Sequence, residues 1–344
     1  MKQRGLKSSK WRFSTPVIIV TVIFQLFFSA ILSAMLVFYS PFFNTLKKFV
    51  VSSAMESRTQ QYIAKLFLTQ AQINDILNVK PIGPTESQNP LNVNTNNSGS
   101  SEITEYQVSG TQFQGYVLEV KNPLRVKVAM TQQVGKVGEF TSQMAKRVNA
   151  VAAINGGGFQ GGANWADSAQ NPTNFVIHNG SVIWQDKNWP DNEKVNVIAL
   201  DNKGILVVGN HSIDDLKSMN VMEAVTMPQS SDTDFRPLII NGKPQFSEGD
   251  SESRAPRTAI AQKEDGTIIL IALDGRQIGQ FGATYYELQQ LLLDQLSTSD
   301  NPVETAAILD GGGSTTMYFN GKVINHPSAA FGERTVATAF CVMQ

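Results

Sequence analysis

Two segments of the chain place a polar residue directly before three glycines. One reads VAAINGGGF (151–159) and the other reads AAILDGGGS (306–314). In both, an apolar run with the composition of a buried strand precedes the polar residue. Glycines allow positive φ and close approach, and their bare N–H groups can line an anion-binding nest. We therefore predict that Asn155 and Asp310 stand at strand ends, beside backbone that a ligand can reach in one cleft.

Two arginines accompany these segments. RTAIA (257–261) parallels RTVAT (334–338). These two similar strands can each place an arginine beside one polar–glycine segment. Guanidinium binds phosphate through two parallel hydrogen bonds. Arg257 and Arg334 are therefore candidates for an anion clamp. For Arg257, a structural salt bridge to Glu252 or Asp250 is the alternative.

The composition argues against several classes of function. The chain has 344 residues, a formal net charge of −1 and 17% charged residues. This balance gives no support for a broad basic face, so nucleic acid is not an expected partner. The single cysteine, Cys341, cannot form an intramolecular disulfide, and its apolar surroundings in the sequence are typical of a buried strand.

Cofactor and metal motifs are weak. Residues 156–161 formally match the dinucleotide fingerprint G-x-G-x-x-G, but they lead into ANWADSAQNP, which has no helical pattern. No helix N-terminus is then available for a pyrophosphate. The histidines, at 178, 211 and 326, are too scattered to indicate a zinc site. We predict no cofactor and no dedicated metal site, although the carboxylates leave room for a divalent cation.

The N-terminal residues predict a signal-anchor that crosses a membrane. Residues 16–39 are uncharged; a helix of this length is roughly 36 Å long, enough to span a bilayer. A cleavable signal peptide has a shorter apolar core, of about 7–15 residues. Several Lys and Arg residues precede the span, and only Lys47 and Lys48 follow it closely. The positive-inside rule thus places the tail, residues 1–15, in the cytoplasm and the rest outside the cell membrane.

Two further segments precede the main domain. In residues 40–79, apolar residues recur at intervals of three or four positions, which indicates a helical stalk. The pattern fits both a self-associating stalk and a helix that lies on a surface. Residues 80–104 contain almost nothing to bury, so we predict a flexible linker there.

Residues 105–344 have the pattern of an α+β domain with a mixed β-sheet core and a few flanking helices. Turn signals lie at Asn179-Gly180, Asn241-Gly242, Asp265-Gly266 and Asn320-Gly321. The predicted strands are 115–120, 125–130, 150–154, 175–177, 195–200, 205–208, 238–240, 258–261, 268–273, 306–309, 316–319 and 335–342.

Two helices are predicted in this domain. The first covers 140–148, with Thr141 or Ser142 as its cap. The second, TYYELQQLLLDQL, begins with a capping box formed by Thr284 and Glu287. Its leucines fall on one face, so it should pack against a sheet.

Six segments together resemble the phosphodiester glycosidase family. They are NGGGF (155–159), SRAPRTAIAQKEDG (253–266), LDGRQ (273–277), GATYYELQQLL (282–292), LDGGGSTTMYFNGKVIN (309–325) and GERTVATAFCV (332–342). The resemblance covers nearly the whole domain in order and leaves out the stalk and the linker. Many bacterial members read Pro-Ser-Asp after the last hairpin, whereas this chain reads Pro-Ser-Ala at 327–329.

The resemblance implies a hydrolase of sugar 1-phosphate diesters in a bacterial cell-wall, cell-surface or exopolysaccharide glycan. When the C1–O bond of such a diester breaks, the leaving group is a phosphomonoester with a second pKa of about 6. It therefore needs less acid assistance than an alkoxide, and the site should combine a carboxylate with an anion clamp. The predicted catalytic residues are Asp310, Asp274 and Asn155. The predicted substrate- or phosphate-binding residues are Arg257, Arg334, Gly156, Gly157, Gly311, Gly312, Gly313, Ser314 and Thr315.

Two other functions remain open at this point. The domain can be a non-catalytic anchor for an anionic wall polymer, with the same arginines and glycines used for binding. It can also be a metal-dependent phosphodiesterase that holds a divalent ion with Asp310, Asp274 and Asp250. Asp274 has a simpler explanation too, because an Asp-Gly pair often does no more than form a turn.

Overall fold

A computed structural model gives the structure of the chain. It describes residues 15–55, 61–77, 88, 93–95, 99–160, 171–227, 237–249, 253–329 and 332–344. Nearly all of the predicted cytoplasmic tail and most of the predicted linker lie outside the described residues. So do Gly161, Asp250 and Glu252.

The first helix is the predicted membrane span. Its residues Ile19–Tyr39 have a mean hydropathy of 2.3, and most of their side chains are exposed, so the helix is long and apolar enough to cross a bilayer. A π turn at Leu292–Leu296 extends the last helix. The helices of the described residues are α1 Thr15–Tyr39, α2 Asn44–Met55, α3 Gln61–Lys65, α4 Gln70–Leu77, α5 Thr141–Arg147, α6 Ile213–Ser218 and α7 Tyr285–Leu291.

The rest of the described chain is mainly β-strand. In order, the strands are β1 Ile103–Ser109, β2 Gln114–Val120, β3 Val126–Met130, β4 Glu139–Phe140, β5 Ala152–Asn155, β6 Phe159–Gln160, β7 Asn171–Pro172, β8 Phe175–His178, β9 Ser181–Gln185, β10 Val195–Asp201, β11 Leu206–His211, β12 Val221–Met227, β13 Ile239–Ile240, β14 Lys243–Pro244, β15 Arg257–Lys263, β16 Ile268–Leu273, β17 Val303–Ile308, β18 Met317–Phe319, β19 Lys322–Val323, β20 Thr335–Val336 and β21 Thr338–Val342.

The strands form three main sheets. A seven-stranded sheet has the order β1-β2-β16-β15-β17-β13-β14, and two five-stranded sheets have the orders β11-β10-β12-β8-β9 and β19-β18-β5-β21-β3. The α+β class is confirmed. The described pairings are all antiparallel, where the sequence predicted a mixed core. Parallel neighbours need long crossover connections, and few helices are present here to provide them.

One apolar core lies between the three sheets. It includes Leu270 from the first sheet, Ile198 from the second and Phe340 from the third, all of them buried. Each sheet also has a helix on its outer face: α7 on the first, α6 on the second and α5 on the third. Because side chains alternate along a strand, neighbouring residues face either the common core or a helix.

Local signals in the sequence are largely confirmed. The Asn of all three Asn-Gly turns has positive φ, as tight hairpins require. The hydroxyl of Thr284 accepts a hydrogen bond from the N–H of Glu287, which completes the predicted capping box. The cap of the other helix differs, because α5 begins at Thr141 and Gln143 reaches back to the N–H of Phe140 at 3.3 Å.

The helices that follow α1, namely α2, α3 and α4, form a compact cluster instead of an extended rod; we call them the membrane-proximal helices, after the predicted span. Buried apolar residues from all three helices, including Val51 and Ile73, meet in its centre. The cluster packs on the end of α1, where Phe38 stacks on Phe67 with 4.6 Å between ring centroids. The hydroxyl of Tyr39 donates to the carbonyl of Phe67 at 2.6 Å. Self-association of these helices stays a prediction.

The described linker residues contact the domain. Gln88 accepts a hydrogen bond from the N–H of Val208 at 2.8 Å and donates to the hydroxyl of Thr305 at 3.1 Å. The N–H of Asn94 donates to the carbonyl of Glu264 at 2.7 Å. The predicted linker also ends within β1, an edge strand with too few apolar residues to be recognised from sequence.

Candidate active site

The two polar–glycine segments meet in the structure. The N–H of Asp310 donates to the carbonyl of Gly156 at 3.2 Å, and the N–H of Gly312 donates to the carbonyl of Pro256 at 2.8 Å. Gly312 has a φ of +60°, which a residue without a Cβ adopts at little cost. Asp310 is half-buried at this junction. The structure therefore brings Asn155 and Asp310 together, as predicted from their similar sequences.

Asn155 is completely buried at the end of β5. Its side-chain amide donates to the carbonyl oxygen of Asp310. Its side-chain oxygen accepts from the hydroxyl of Thr258 at 2.9 Å and from the N–H of Thr316 at 3.1 Å. One side chain thus joins β5, β15 and the second glycine segment, and it fixes the backbone that carries Asp310.

The first glycine segment uses its N–H groups within the fold. Gly156 donates to the carbonyl of Thr338 at 2.8 Å, and Gly157 donates to the hydroxyl of the same residue at 3.0 Å. Gly158 donates to the carbonyl of Thr226 at 2.9 Å. A Cβ on Gly157 would lie 2.6 Å from that carbonyl oxygen, so only glycine fits there. The donors predicted at Gly156 and Gly157 are therefore occupied by protein groups.

Arg257 lies on the outer face of its sheet, under α7. Its guanidinium donates to the carbonyls of Ala283 at 3.0 Å and Ser253 at 2.8 Å, and it lies 3.9 Å from the ring centroid of Tyr285. The residue is only 1% exposed. Because side chains alternate along a strand, Thr258 points to the Asn155 side while Arg257 points away from it. These contacts bind the guanidinium into the fold.

Arg334 lies beside the second glycine segment. Its Cδ is 3.8 Å from the point where a side chain on Gly313 would begin, and its guanidinium carbon is 5.0 Å from the ring centroid of Phe159. The neighbouring residue Glu333 accepts from the N–H of Ser142 at 3.0 Å, which fixes the chain there. Within the described part of the chain, no hydrogen bond or ion pair engages the Arg334 guanidinium. It is partly exposed and can bind an anion at Gly313.

A second arginine approaches the neighbouring glycine, Gly312. We define the site loop as residues 275–283, directly after Asp274. Within it, a guanidinium nitrogen of Arg276 lies 3.2 Å from the point where a side chain on Gly312 would begin. The base of the loop is narrow, since a Cβ on Gly275 would lie 2.6 Å from the Cα of Gly282.

Asp274 is connected to the rest of the site by hydrogen bonds. Its carboxylate is 1% exposed and accepts from the side-chain amide of Asn325 at 2.9 Å. Asn325 also donates to the carbonyl of Thr315 at 3.1 Å. The hydroxyls of Thr315 and Thr258 are 3.2 Å apart, and Thr258 in turn donates to Asn155. This network holds the site loop, the last hairpin and the second glycine segment in one arrangement.

Two hydroxyls of the second glycine segment have no hydrogen-bond partner among the described residues. They belong to Ser314 and Thr316, and both residues are completely buried. An unsatisfied buried hydroxyl costs about 1–3 kcal/mol, which a bound ligand can recover. The described residues contain no group of three or more His, Cys, Asp or Glu side chains placed to hold a metal ion.

The sequence analysis did not identify four residues of this site. Arg276 and Asn325 lie in segments that carry the family resemblance, but nothing in their spacing reveals a role. Thr258 directly follows Arg257, which was the predicted site residue of this strand. His326 donates its N–H to Asp274 at 3.0 Å, and its ring nitrogen Nδ1 is 3.5 Å from the same carboxylate. Each of these roles depends on contacts with distant parts of the chain.

The comparison with protein families gives one match over most of the domain. The sequence model of a family described as phosphodiester glycosidase matches residues 148–343. Among curated proteins, the SPbeta prophage-derived protein YomE of Bacillus subtilis (strain 168) is 33% identical over 105 residues, which are 29% of this chain and 15% of that protein.

Two mammalian proteins are also similar. The N-acetylglucosamine-1-phosphodiester alpha-N-acetylglucosaminidases of Bos taurus and Homo sapiens are 35% and 36% identical over 92 residues, which are 25% of this chain and 16% of each relative. The matches therefore span only about a sixth of the length of these curated relatives.

A solved structure shares the fold. The catalytic domain of the zebrafish N-acetylglucosamine-1-phosphodiester alpha-N-acetylglucosaminidase, auto-inhibited by its pro-peptide, superposes with a TM-score of 0.57 at 21% identity. The superposition covers 79% of this chain and 99% of the zebrafish chain. At this level of identity the likeness concerns the fold alone.

Proposed function

Because the chain belongs to the phosphodiester glycosidase family, we propose that it is a membrane-anchored, extracytoplasmic hydrolase that cleaves a sugar 1-phosphate diester at the C1–O bond. The resemblance drawn from the six sequence segments is confirmed. The names of the mammalian relatives specify N-acetylglucosamine-1-phosphodiesters, so N-acetylglucosamine is the first sugar to test. In this proposal the sugar belongs to a cell-surface or exopolysaccharide glycan.

One observation carries the proposal: two arginines lie beside adjacent glycines that follow Asp310. Arg276 lies against Gly312, and Arg334 lies against Gly313. In the proposed complex the phosphate of the diester lies beside these glycines, which have no side chains of their own. The two planar guanidinium groups bind its oxygens. This pairing replaces the clamp of Arg257 and Arg334 that the sequence suggested.

The remaining predicted residues support the site in this proposal. Asn155 positions Asp310 through the carbonyl that its amide binds. Arg257 stabilises the turn before β15 and its packing on α7. Asp274 orients the site loop and the end of the last hairpin.

The reaction uses one water molecule. The water oxygen bonds to C1, and the electron pair of the C1–O bond leaves with the phosphate as a phosphomonoester. One water proton remains on the new sugar hydroxyl, and the other passes to the phosphate or to solvent. The carboxylate of Asp310 stabilises the positive charge that develops at C1 or accepts the water proton. The arginines stabilise the charge that accumulates on the leaving phosphate.

An isotope experiment tests the position of cleavage. The full chain in detergent is incubated with the methyl ester of N-acetylglucosamine 1-phosphate in ¹⁸O-water, and both products are analysed by mass spectrometry. Release of methyl phosphate without label establishes C1–O cleavage, because the anomeric hydroxyl exchanges its oxygen with water and gains label in either case. Label in the phosphate, together with loss of activity in EDTA, establishes a metal-dependent phosphodiesterase instead. If binding occurs but no sugar phosphodiester in a panel is turned over, the domain is an anchoring module.

A further inference from the structure

The site loop contacts the helices that follow the membrane span. Phe281, near the end of the loop, packs against Phe49 of α2 with 4.5 Å between ring centroids. Both side chains are half-buried. The loop therefore connects Arg276 at one end to a membrane-proximal helix at the other.

This contact holds the site close to the end of α1. The span ends at Tyr39, and α2 begins at Asn44 after one short 3₁₀ turn. Phe49 lies five residues into α2, which is about 8 Å along a helix. Because the helical cluster also packs on the end of α1, it cannot act as a long spacer. The second glycine segment is thus placed near the membrane surface whenever α1 spans the bilayer.

Exposed apolar side chains lie on the same elements. Ile278, at the tip of the site loop, is 105% exposed, and Gly279 beside it has open space around it. Phe42 and Leu66 in the helical region after α1 are 94% and 74% exposed. Large apolar side chains next to a membrane span are typical of segments that insert into the interface between lipid headgroups and chains.

Building on the glycosidase activity proposed above, we propose that the second alcohol of the phosphodiester is a membrane lipid. The alkyl chain of such a substrate stays in the bilayer, so its phosphate lies at headgroup level. The site loop, with Ile278 in the interface, brings Arg276 to this level. A soluble polymer would not require an anion clamp on a loop that is tied to the membrane-proximal helices. The substrate class is therefore a sugar 1-phosphate ester of a long-chain lipid alcohol.

A paired-substrate experiment tests this inference. The full chain is reconstituted in phospholipid vesicles with the hexadecyl ester of a sugar 1-phosphate in the bilayer, or with the methyl ester of the same sugar in solution. The pairs use N-acetylglucosamine, glucose and galactose. We expect the hexadecyl ester to be hydrolysed at least tenfold faster than the methyl ester at equal total concentration.

Ile278→Ser separates membrane contact from catalysis. We expect it to lower the rate on the hexadecyl ester at least fivefold and to leave the rate on the methyl ester unchanged. Leu124→Ser is the matched control, because Leu124 is an exposed apolar residue of the main domain, 38% exposed, away from the site loop. It should change neither rate.

The outcomes distinguish this inference from the proposed function. Cleavage of a methyl ester without preference for its hexadecyl partner overturns the lipid substrate and keeps the glycosidase. Equal losses on both esters in Ile278→Ser overturn the role of the loop tip. If no pair is cleaved, the proposed function fails and the inference fails with it.

A spectroscopic measurement tests the loop position without activity. Ile278→Cys is labelled with an environment-sensitive maleimide dye, and quenching by nitroxide-labelled lipids is recorded in vesicles. The natural Cys341 does not interfere, because burial raises the pKa of its thiol to about 12. Strong quenching is expected at position 278 and little at Leu124→Cys. Equal, weak quenching at both positions would show that the loop tip does not reach the lipid.

Discussion

The two polar–glycine segments use their hydrogen bonds differently. In the first, the N–H groups of residues 156–158 all bind protein oxygens, and Asn155 has no exposed surface. In the second, Asp310 is half-buried, and the buried hydroxyls of Ser314 and Thr316 have no partner among the described residues. Similar sequences therefore serve packing in one turn and leave room for a ligand in the other.

The residue before the glycines explains this difference. An amide side chain carries both donors and an acceptor, so Asn155 can be satisfied by neutral groups in the protein interior. A carboxylate carries a charge and acceptors only, and its burial without compensation is costly. Asp310 is therefore suited to a junction where a substrate and cationic side chains meet. The exchange of one side-chain group thus separates a fully buried turn from one with a half-buried carboxylate.

The largest expected effect comes from Asp310→Asn, which makes the second segment resemble the first. We expect the rate on the methyl ester of N-acetylglucosamine 1-phosphate to fall by a factor of about 10² or more, in the range of a positioned acid–base group. The melting temperature should change little, because asparagine forms the same local turn. Both quantities are measured on the same protein. A stable and fully active variant would remove this carboxylate from the mechanism.

The reverse exchange, Asn155→Asp, should mainly reduce stability. It removes the donor to the Asp310 carbonyl and buries a charge beside that oxygen. We expect the free energy of unfolding, measured with urea, to fall by roughly 2–3 kcal/mol. Asn210→Asp, at an exposed position, is the matched control and should change it by less than about 0.5 kcal/mol. An unchanged stability in Asn155→Asp would contradict the positioning role of the amide.

Arg334 and Arg257 should also differ, because the first is placed to bind a ligand and the second holds the fold together. Arg334→Lys keeps the charge but loses the planar fork, so we expect about a tenfold lower rate on the phosphodiester. A nitrophenyl glycoside of the same sugar, which lacks the phosphate, should be little affected. Arg257→Lys instead should lower the melting temperature and reduce both activities alike, because its donors bind carbonyls in the fold. The opposite pattern in the two variants would restore Arg257 to the clamp.

The smallest expected effect is on the pH dependence of the free energy of unfolding, through His211. Burial lowers the pKa of His211 below its ordinary value of 6.5; Asp215 partly offsets this, and Lys194 adds to it. The unfolded chain therefore binds the proton first as pH falls, and stability is lost progressively below pH 6.5. His211→Asn should reduce the change in unfolding free energy between about pH 7 and about pH 5. A steeper pH dependence in that variant would show the sign to be wrong.

Sequence reasoning succeeded where a feature depends on a few neighbouring residues. The Asn-Gly turns, the capping box at Thr284 and the strand that ends before Asp310 all belong to this class. It failed for β12, whose residues VMEAVTM mix buried apolar positions with Glu223, a carboxylate that accepts from His178 and the N–H of Val128. These partners are distant in sequence, so no local pattern predicts them.

The same limit applies to the site. The arginine at 257 and the threonine after it necessarily face opposite sides of a strand, but only the assembled sheets show which side faces Asn155. Arg276 has a φ of +59°, a conformation that the local sequence does not predict. It enters the site because the loop folds back toward Gly312. The meeting of the two glycine segments was predictable from their similar sequences, whereas the approach of Arg276 to Gly312 was not.

The narrow base of the site loop divides this segment into a part that can be redesigned and a part that cannot. At the base, the backbones of Gly275 and Gly282 approach so closely that one added methyl group would force the two ends of the site loop apart. Arg276 would move with them. At the tip, Ile278 and Gly279 are exposed, and Ile278 packs against nothing in the domain. A library that randomises only positions 278 and 279 therefore leaves the arginine in place. Selection from such a library can change which surface or aglycone the enzyme accepts while its chemistry stays the same.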